Sequence, residues 1–110
     1  MCRHQTLFYD DQLGYIIRCT ACENFQLGYG NLLITLNAVE FESFQSCIHK
    51  SLELYSDAEN RSVKCIFIPT PCEGLKMMLS KNELADLNKM LDSADTEWKS
   101  QQLLELFSTG

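Results

Sequence analysis

The chain has 110 residues, of which 45% are hydrophobic and 22% are charged, and this composition is typical of a globular protein. A chain of this length can form one hydrophobic core but not two, so we expect a single domain over residues 1–110. Nine Lys and Arg against fifteen Asp and Glu give a net charge of -6, with no basic run. This balance disfavours nucleic acid and acidic membranes as partners, because both bind through clustered positive charge.

The beginning of the sequence predicts a protein that is not exported. Met1 is followed by polar and charged residues and not by the apolar segment of a signal peptide. No apolar run approaches the roughly 20 residues needed for a membrane span. We therefore expect a cytoplasmic location, where the six cysteines would be thiols or metal ligands and not structural disulfides.

The first half of the sequence predicts a β-meander followed by a helix. Short apolar and alternating segments within residues 1–36 favour strands at residues 6–9, 15–18, 25–29 and 32–36. From residue 37 the apolar spacing becomes helical and predicts a helix over residues 37–56, with the stripe Phe41, Phe44, Ile48, Leu52 and Tyr55. Asn37 is the predicted N-cap, and Glu40 completes a capping box.

The second half, residues 62–110, predicts two strands and two helices. The strands are expected at residues 63–68 and 75–79, with Pro69 and Pro71 in the turn between them. Ser80 and Glu83 form a second capping box before a helix with the stripe Leu84, Leu87 and Leu91. A separate last helix is expected from about residue 95 to residue 107, presenting Trp98, Leu103, Leu104 and Phe107.

These elements predict an α+β fold in which an antiparallel sheet packs against two or three helices. With an offset of 43 residues, Asn37, Glu40 and Phe41 align with Ser80, Glu83 and Leu84. This match raises the hypothesis of an internal strand-strand-helix repeat. The chemistry of helix capping explains the same match without a repeat.

Four candidate metal ligands lie near the start of the sequence: Cys2, His4, Cys19 and Cys22. If residues whose numbers sum to about 24 face each other in the first hairpin, His4 lies opposite Thr20, and Cys2 lies opposite Cys22. The C-x-x-C segment can form a short turn with both sulfurs directed at one centre. Three thiolates and one imidazole form a tetrahedral set for Zn²⁺, so we expect a structural zinc that closes the N-terminal hairpin.

Other chemistries fit this pattern less well. An iron centre of the rubredoxin type uses four thiolates, whereas one donor here is His4, so zinc is preferred over iron. A zinc deaminase requires a glutamate two residues after the histidine, and Thr6 occupies that position. A thioredoxin-type pair requires a helix N-terminus, whereas Cys19 and Cys22 lie between predicted strands. A cysteine-rich apolar core without metal is the remaining alternative.

The other reactive side chains do not form a catalytic set. Cys47 and Cys65 are expected in the core, Cys72 in a loop, and His49 on the polar face of the first helix. No Ser/His/Asp set, carboxylate pair or phosphate-binding loop can be assembled, so the sequence does not favour an enzyme.

Three segments carry a resemblance to a known family: C-x-H-Q-T-L-F from Cys2, G-Y-I-I-R-C-T-A-C from Gly14, and F-Q-L-G-Y-G-N-L-L-I-T-L from Phe25. They resemble an uncharacterised family of short bacterial proteins, a domain of unknown function associated with Bacteroidetes. The resemblance covers about the first 55 residues well and the remainder loosely. It implies that the cysteine and histidine set named above binds a metal, and it implies no activity.

The sequence therefore favours a small, non-catalytic zinc-binding domain that acts through protein contacts, as a homo-oligomer or as a regulatory subunit. The alternative is a thiol and zinc redox sensor in which oxidation of Cys19 and Cys22 releases the metal. A third hypothesis is a zinc enzyme in which Cys2 is not a ligand and one coordination position stays open.

Overall fold

The computed structural model describes residues 3–55, 63–64 and 66–108. Its elements, in chain order, are β1 (His4–Asp10), β2 (Gly14–Cys19), β3 (Phe25–Tyr29), β4 (Leu32–Leu36), α1 (Ala38–Leu54), β5 (Ile66–Pro69), β6 (Lys76–Leu79) and α2 (Lys81–Ser108). Strands β1 to β4 form an antiparallel sheet in chain order, and β5 and β6 form a second, two-stranded sheet. The α+β class and the meander are confirmed, and the described residues contain two helices.

Side chains alternate between the two faces of the four-stranded sheet, and one face carries the core. Ile16, Leu27 and Ile34 are buried on the face that packs against the helices. On the outer face, Tyr9, Tyr15, Gly28 and Leu33 form one row across the four strands. Tyr9 and Leu33, at the two ends of this row, are exposed to solvent.

The two connections at one end of this sheet depend on glycine. Gly14 begins β2 with φ of +140°, and a Cβ atom there would overlap the carbonyl oxygen of Gly28 on β3. Gly30, in the two-residue turn between β3 and β4, has φ of +59° and open space around the position of a Cβ. Glycine is favoured at both positions because side chains disfavour positive φ, but only Gly14 is also restricted by a neighbouring backbone.

Both predicted capping boxes are present. At α1, the Asn37 side chain accepts a hydrogen bond from the Glu40 backbone N–H at 2.8 Å, and Glu40 accepts one from the Asn37 N–H at 2.9 Å. At α2, Ser80 Oγ accepts from the Glu83 N–H at 3.2 Å, and Glu83 Oε1 accepts from the Ser80 N–H at 2.9 Å. Each box satisfies backbone donors that the helix itself leaves unpaired.

The expected break near residue 95 is wrong, because α2 is one continuous helix of 28 residues. Asp92, Ser93 and Asp95 resemble a helix start in the sequence. However, Leu91 and Ala94 are fully buried and Trp98 packs on the same core, so the apolar stripe continues through the segment. Burial along this stripe outweighs the local preference of the polar residues for a helix cap.

Three aromatic rings determine where α2 crosses the sheet. Phe25 on β3 stacks on Phe41 of α1, with ring centroids 4.4 Å apart, and Trp98 of α2 meets Phe25 edge-on at 4.8 Å. Near the start of α2, the Tyr29 hydroxyl at the other end of β3 donates to the carbonyl of Glu83 at 3.3 Å. Helix α2 therefore runs from the Tyr29 end of β3 to the Phe25 end.

The second hairpin is shorter than expected. Strand β5 begins at Ile66, which pairs with Leu79, and Val63 and Lys64 are not in a strand. The residue after Leu79 is Ser80, which caps α2, so β6 offers no partner to residues that precede Ile66. The predicted loop at residues 56–61 and Cys65 lie outside the described residues.

The two capping boxes do not decide whether the chain contains a repeat. Each follows a hairpin, and the turns at Gly30 and Gly74 both have positive φ. The first hairpin, however, belongs to the four-stranded sheet and the second forms a separate sheet. The repeat stays a hypothesis.

The part of the chain that the structure describes contains no helix with both the length and the apolar composition needed to cross a bilayer.

Candidate metal centre

His4 and Cys19 lie directly opposite each other on β1 and β2. This differs from the predicted register, which paired His4 with Thr20. The sum of paired residue numbers is 24 from Phe8 to Asp10, as predicted, but it is 23 from His4 to Thr6 because the register shifts between Thr6 and Phe8. Leu7 is thus the extra residue of a β-bulge, and its side chain is buried in the core.

The hydrogen bonds around this pair bring its two side chains close together. The Thr20 N–H donates to the Arg3 carbonyl at 2.8 Å, so Arg3 and Thr20 form a hydrogen-bonded pair. Pairs alternate along an antiparallel ladder, which makes His4 and Cys19 a pair without mutual hydrogen bonds. In such pairs the Cα atoms are about 4.5 Å apart and the side chains approach most closely.

The C-x-x-C segment forms a compact turn between β2 and β3. The Cys22 N–H donates to Cys19 Sγ at 3.5 Å, and the Glu23 N–H donates to the Cys19 carbonyl at 2.9 Å. Glu23 has φ of +63°, and the Cys19 N–H donates to the Asn24 carbonyl at 2.8 Å, which closes the turn before β3. The turn folds the backbone of Cys22 back onto the sulfur of Cys19.

Two residues that the sequence did not suggest hold this end of the hairpin. The Thr20 hydroxyl donates to the Arg3 carbonyl at 3.2 Å, in addition to the backbone bond from the same residue. Both bonds attach the residue before His4 to the C-x-x-C turn. The only sequence signal for this role is a hydroxyl residue between the two cysteines, which is capable of local hydrogen bonding to the backbone.

The Arg18 side chain does not face Cys19. Arg18 precedes Cys19 on β2 and therefore faces the opposite side of the sheet. Its guanidinium lies 5.8 Å from the centre of the Trp98 ring and 3.9 Å from Glu23. Arg18 thus supports the packing of α2 on the sheet, and the positive charge is shared with an aromatic ring and a carboxylate.

The candidate ligands differ in exposure. Cys19 is 6% exposed, whereas His4 and Cys22 are exposed. Among residues 3–55, 63–64 and 66–108, no three His, Cys, Asp or Glu side chains are already arranged to hold a metal ion. Cys2, the fourth predicted ligand, lies outside these residues, which therefore include only three of the four predicted ligands.

The other cysteines and the second histidine among the described residues lie elsewhere on the molecule. Cys47 is half-buried against the core, and Cys72 is exposed in the turn between β5 and β6. His49 is exposed on α1, with Nε2 3.3 Å from Glu53. None of these three residues belongs to the N-terminal hairpin, so none extends the candidate centre.

The fold and the hairpin end together define an α+β domain with a histidine and a C-x-x-C turn side by side. The chain belongs to a family of unknown function, DUF6686, whose model matches residues 1–108. The predicted resemblance to a domain of unknown function is thereby confirmed. No curated protein and no solved structure matches the chain.

Proposed function

We propose that this chain is a small cytoplasmic zinc-binding domain that acts through protein contacts. In this proposal Cys2, His4, Cys19 and Cys22 bind one structural Zn²⁺ at the open end of the β1–β2 hairpin. The observation that carries the proposal is the direct pairing of His4 with Cys19, because it sets an imidazole and a thiol on the same face at the closest spacing that an antiparallel sheet provides.

The hydrogen bond from the Cys22 N–H to Cys19 Sγ supports the same proposal. A backbone donor aimed at sulfur stabilises a thiolate more than a neutral thiol, which is a weak acceptor. Metal binding requires the thiolate, and donors around ligating atoms commonly orient them. The C-x-x-C turn therefore has the backbone arrangement that a thiolate ligand needs.

At His4 and Cys22, binding of the metal would require only a movement of the side chain. His4 and Cys22 are exposed, so their side chains can turn toward Cys19 without displacing the core. Cys2 is two residues before His4 in the sequence, the spacing at which residues of one strand share a face. Thiolate and imidazole are the preferred ligands of zinc, and a closed set of four favours a structural role.

The physical role of the metal would be to hold an edge strand. Strand β1 is at the edge of the four-stranded sheet, and its start is attached to β2 through Thr20 and Arg3. Structural zinc contributes roughly 10 to 16 kcal/mol in zinc-finger peptides, which is comparable to the whole stability of a typical domain. A site of that strength would fix β1 to the sheet.

The test is the metal content of the full chain, with Cys22→Ser as the variant and Cys72→Ser as the matched control. Both residues are exposed cysteines in turns, but only Cys22 belongs to the proposed site. Purified protein should contain one zinc per chain. Cys22→Ser should lose zinc and melt at a lower temperature, whereas Cys72→Ser should retain both properties. Wild-type protein that takes up no zinc, or two variants that behave alike, would contradict the proposal.

Cys2→Ser separates a closed site from an open one. If Cys2→Ser loses zinc and strand β1 also becomes disordered, the site is structural and has four ligands. Full zinc content and unchanged thermal unfolding would instead indicate a three-ligand site with an open position, which is the arrangement of a zinc enzyme.

The exposed position of Cys22 favours a redox sensor as the second candidate. In the sensor, the thiolates of Cys19 and Cys22 lose two electrons and form one disulfide, while hydrogen peroxide takes up two electrons and two protons and becomes two waters. Zinc would leave because the disulfide sulfurs are no longer thiolates. Zinc release by dilute peroxide, reversed by a dithiol reductant, supports the sensor; zinc that stays bound eliminates it.

A further inference from the structure

The C-terminal end of α2 carries four exposed apolar side chains within five residues. Leu103, Leu104, Leu106 and Phe107 are 56%, 64%, 70% and 81% exposed, and we refer to them together as the tip face. Scattered exposed apolar residues are normal on a protein surface, whereas a contiguous group indicates a contact. The tip face is therefore the strongest candidate for an interaction surface among the described residues.

The tip face cannot be covered by the protein's own core. Successive helix residues are rotated by about 100°, so Leu87, Leu91 and Ala94 share one side of α2, which is fully buried. On the same wheel the tip face is centred about half a turn away. The apolar surface of α2 thus changes sides after Trp98, and the tip face points away from the sheet.

We propose that the tip face binds the tip face of a second copy of this chain, forming a symmetric antiparallel helix pair. Given the exposures above, the four side chains offer at most roughly 500 Å² per chain, or about 1,000 Å² in a pair, which is the lower limit for a biological interface and fits a weak dimer. A symmetric contact uses the same surface on both copies and is the commonest arrangement of homo-oligomers. In the antiparallel alignment, Leu103 of one copy lies beside Phe107 of the other.

Charge favours this segment over the rest of the surface for self-association. The whole chain has a net charge of -6, so two copies repel each other at most surfaces. Residues 99–108 contain only Lys99 and Glu105 as charged side chains and are neutral in sum. Lys99 is moreover paired with Asp95 on its own helix at 2.9 Å.

The shape of the molecule reduces the remaining repulsion. The ten residues that follow Trp98 extend the helix by about 15 Å. An antiparallel pair joined only at the tips therefore keeps the two acidic bodies apart by more than the Debye length, which is about 8 Å at physiological salt. Added salt should strengthen the pair or leave it unchanged.

The test is the molar mass of the full chain in solution, measured by sedimentation over concentrations up to about 200 μM. Wild-type protein should pass from monomer to dimer in this range. The double variant Leu103→Gln with Phe107→Gln should weaken the dimer at least 100-fold, with an unchanged circular dichroism spectrum. The control Val39→Gln with Leu54→Gln changes two residues of α1 that are 73% and 81% exposed and should dimerise like wild type.

Three results would overturn the inference. Wild-type protein that stays monomeric throughout the range would show that a second copy is not what covers the tip face. A double variant that dimerises as tightly as wild type would locate the contact elsewhere. The contact contains no metal ligand, so the dimer should also form in the presence of a zinc chelator; a dimer that the chelator abolishes, with both double variants equal to wild type, would likewise contradict it.

Discussion

Gly14→Ala should be strongly destabilising, because two separate constraints act at this position. The backbone has φ of +140°, which L side chains rarely adopt, and a Cβ would overlap the carbonyl oxygen of Gly28. Gly14 pairs with Asp10 on one side and with Tyr29 on the other. Neither the substituted residue nor its neighbour can move without disturbing a strand ladder.

The size of the effect follows from these two constraints. Holding a residue with a side chain in such a backbone conformation costs about 1 to 3 kcal/mol. Forcing β3 away from the new methyl group costs about another 1 to 3 kcal/mol. The expected loss is about 4 kcal/mol, a large part of the 5 to 15 kcal/mol that stabilises a typical domain.

Gly30→Ala is the matched control. Gly30 also has positive φ, at +59°, but no atom lies within 4 Å of the Cβ position. The backbone conformation alone costs about 1 kcal/mol. Urea unfolding of both variants, followed by far-ultraviolet circular dichroism and by the fluorescence of the single tryptophan, should show Gly14→Ala losing about 3 kcal/mol more than Gly30→Ala. Equal losses would refute the overlap with β3 as the dominant cause.

Three further predictions concern α2 and its contacts. Ser80→Ala should lower the free energy of unfolding by about 1 kcal/mol in urea, because it removes the acceptor for the Glu83 N–H. Trp98→Ala should lower it by about 3 kcal/mol, since the edge-on contact with Phe25 is lost, and Trp98→Phe should retain part of it. Burial, with the nearby carboxylates of Glu83 and Asp86, raises the pKa of Tyr29 to about 12 from 10.0, so its neutral form stabilises the fold below pH 10 and this contribution is lost as the pH rises toward 12. An ultraviolet titration of phenolate should show an ionisation near pH 12 that Tyr29→Phe removes.

The features that the sequence predicted correctly are those with strong local chemistry. Strands β3 and β4 match the expected bounds at both ends, because Gly30 and Asn31 form a two-residue turn that fixes their pairing. The N-caps Asn37 and Ser80 were identifiable since each is followed three residues later by a glutamate. In these cases a few adjacent residues determine the backbone.

The errors arose where distant contacts decide. The segment around Asp95 has the composition of a helix start, but it stays helical because Ala94 and Trp98 pack on residues far away in the sequence. The start of β5 is set by the length of its partner β6, which the local sequence of β5 does not contain. Propensity and pattern describe a segment, whereas these boundaries depend on its neighbours.

The candidate site was predicted in composition but not in geometry. The residue types and the hairpin were recognisable from the sequence, and the structure brings His4 beside Cys19. The pairing differed by one residue because nothing in the sequence of β1 marks Leu7 as a bulge. The zinc itself and the roles of Cys2, His4, Cys19 and Cys22 as its ligands stay predictions.

The bulge at Leu7 makes the number of residues in β1 as consequential as their identity. If the same residues of β1 formed a regular ladder without the bulge, every cysteine and histidine would be kept, yet His4 would lie opposite Thr20 and the imidazole would be on the face of the sheet opposite to Cys19. A chain could therefore keep the complete motif in its sequence and still be unable to bring these side chains together. In this hairpin, the fourteen-residue spacing between His4 and Cys19 determines their pairing as much as the identity of the residues does.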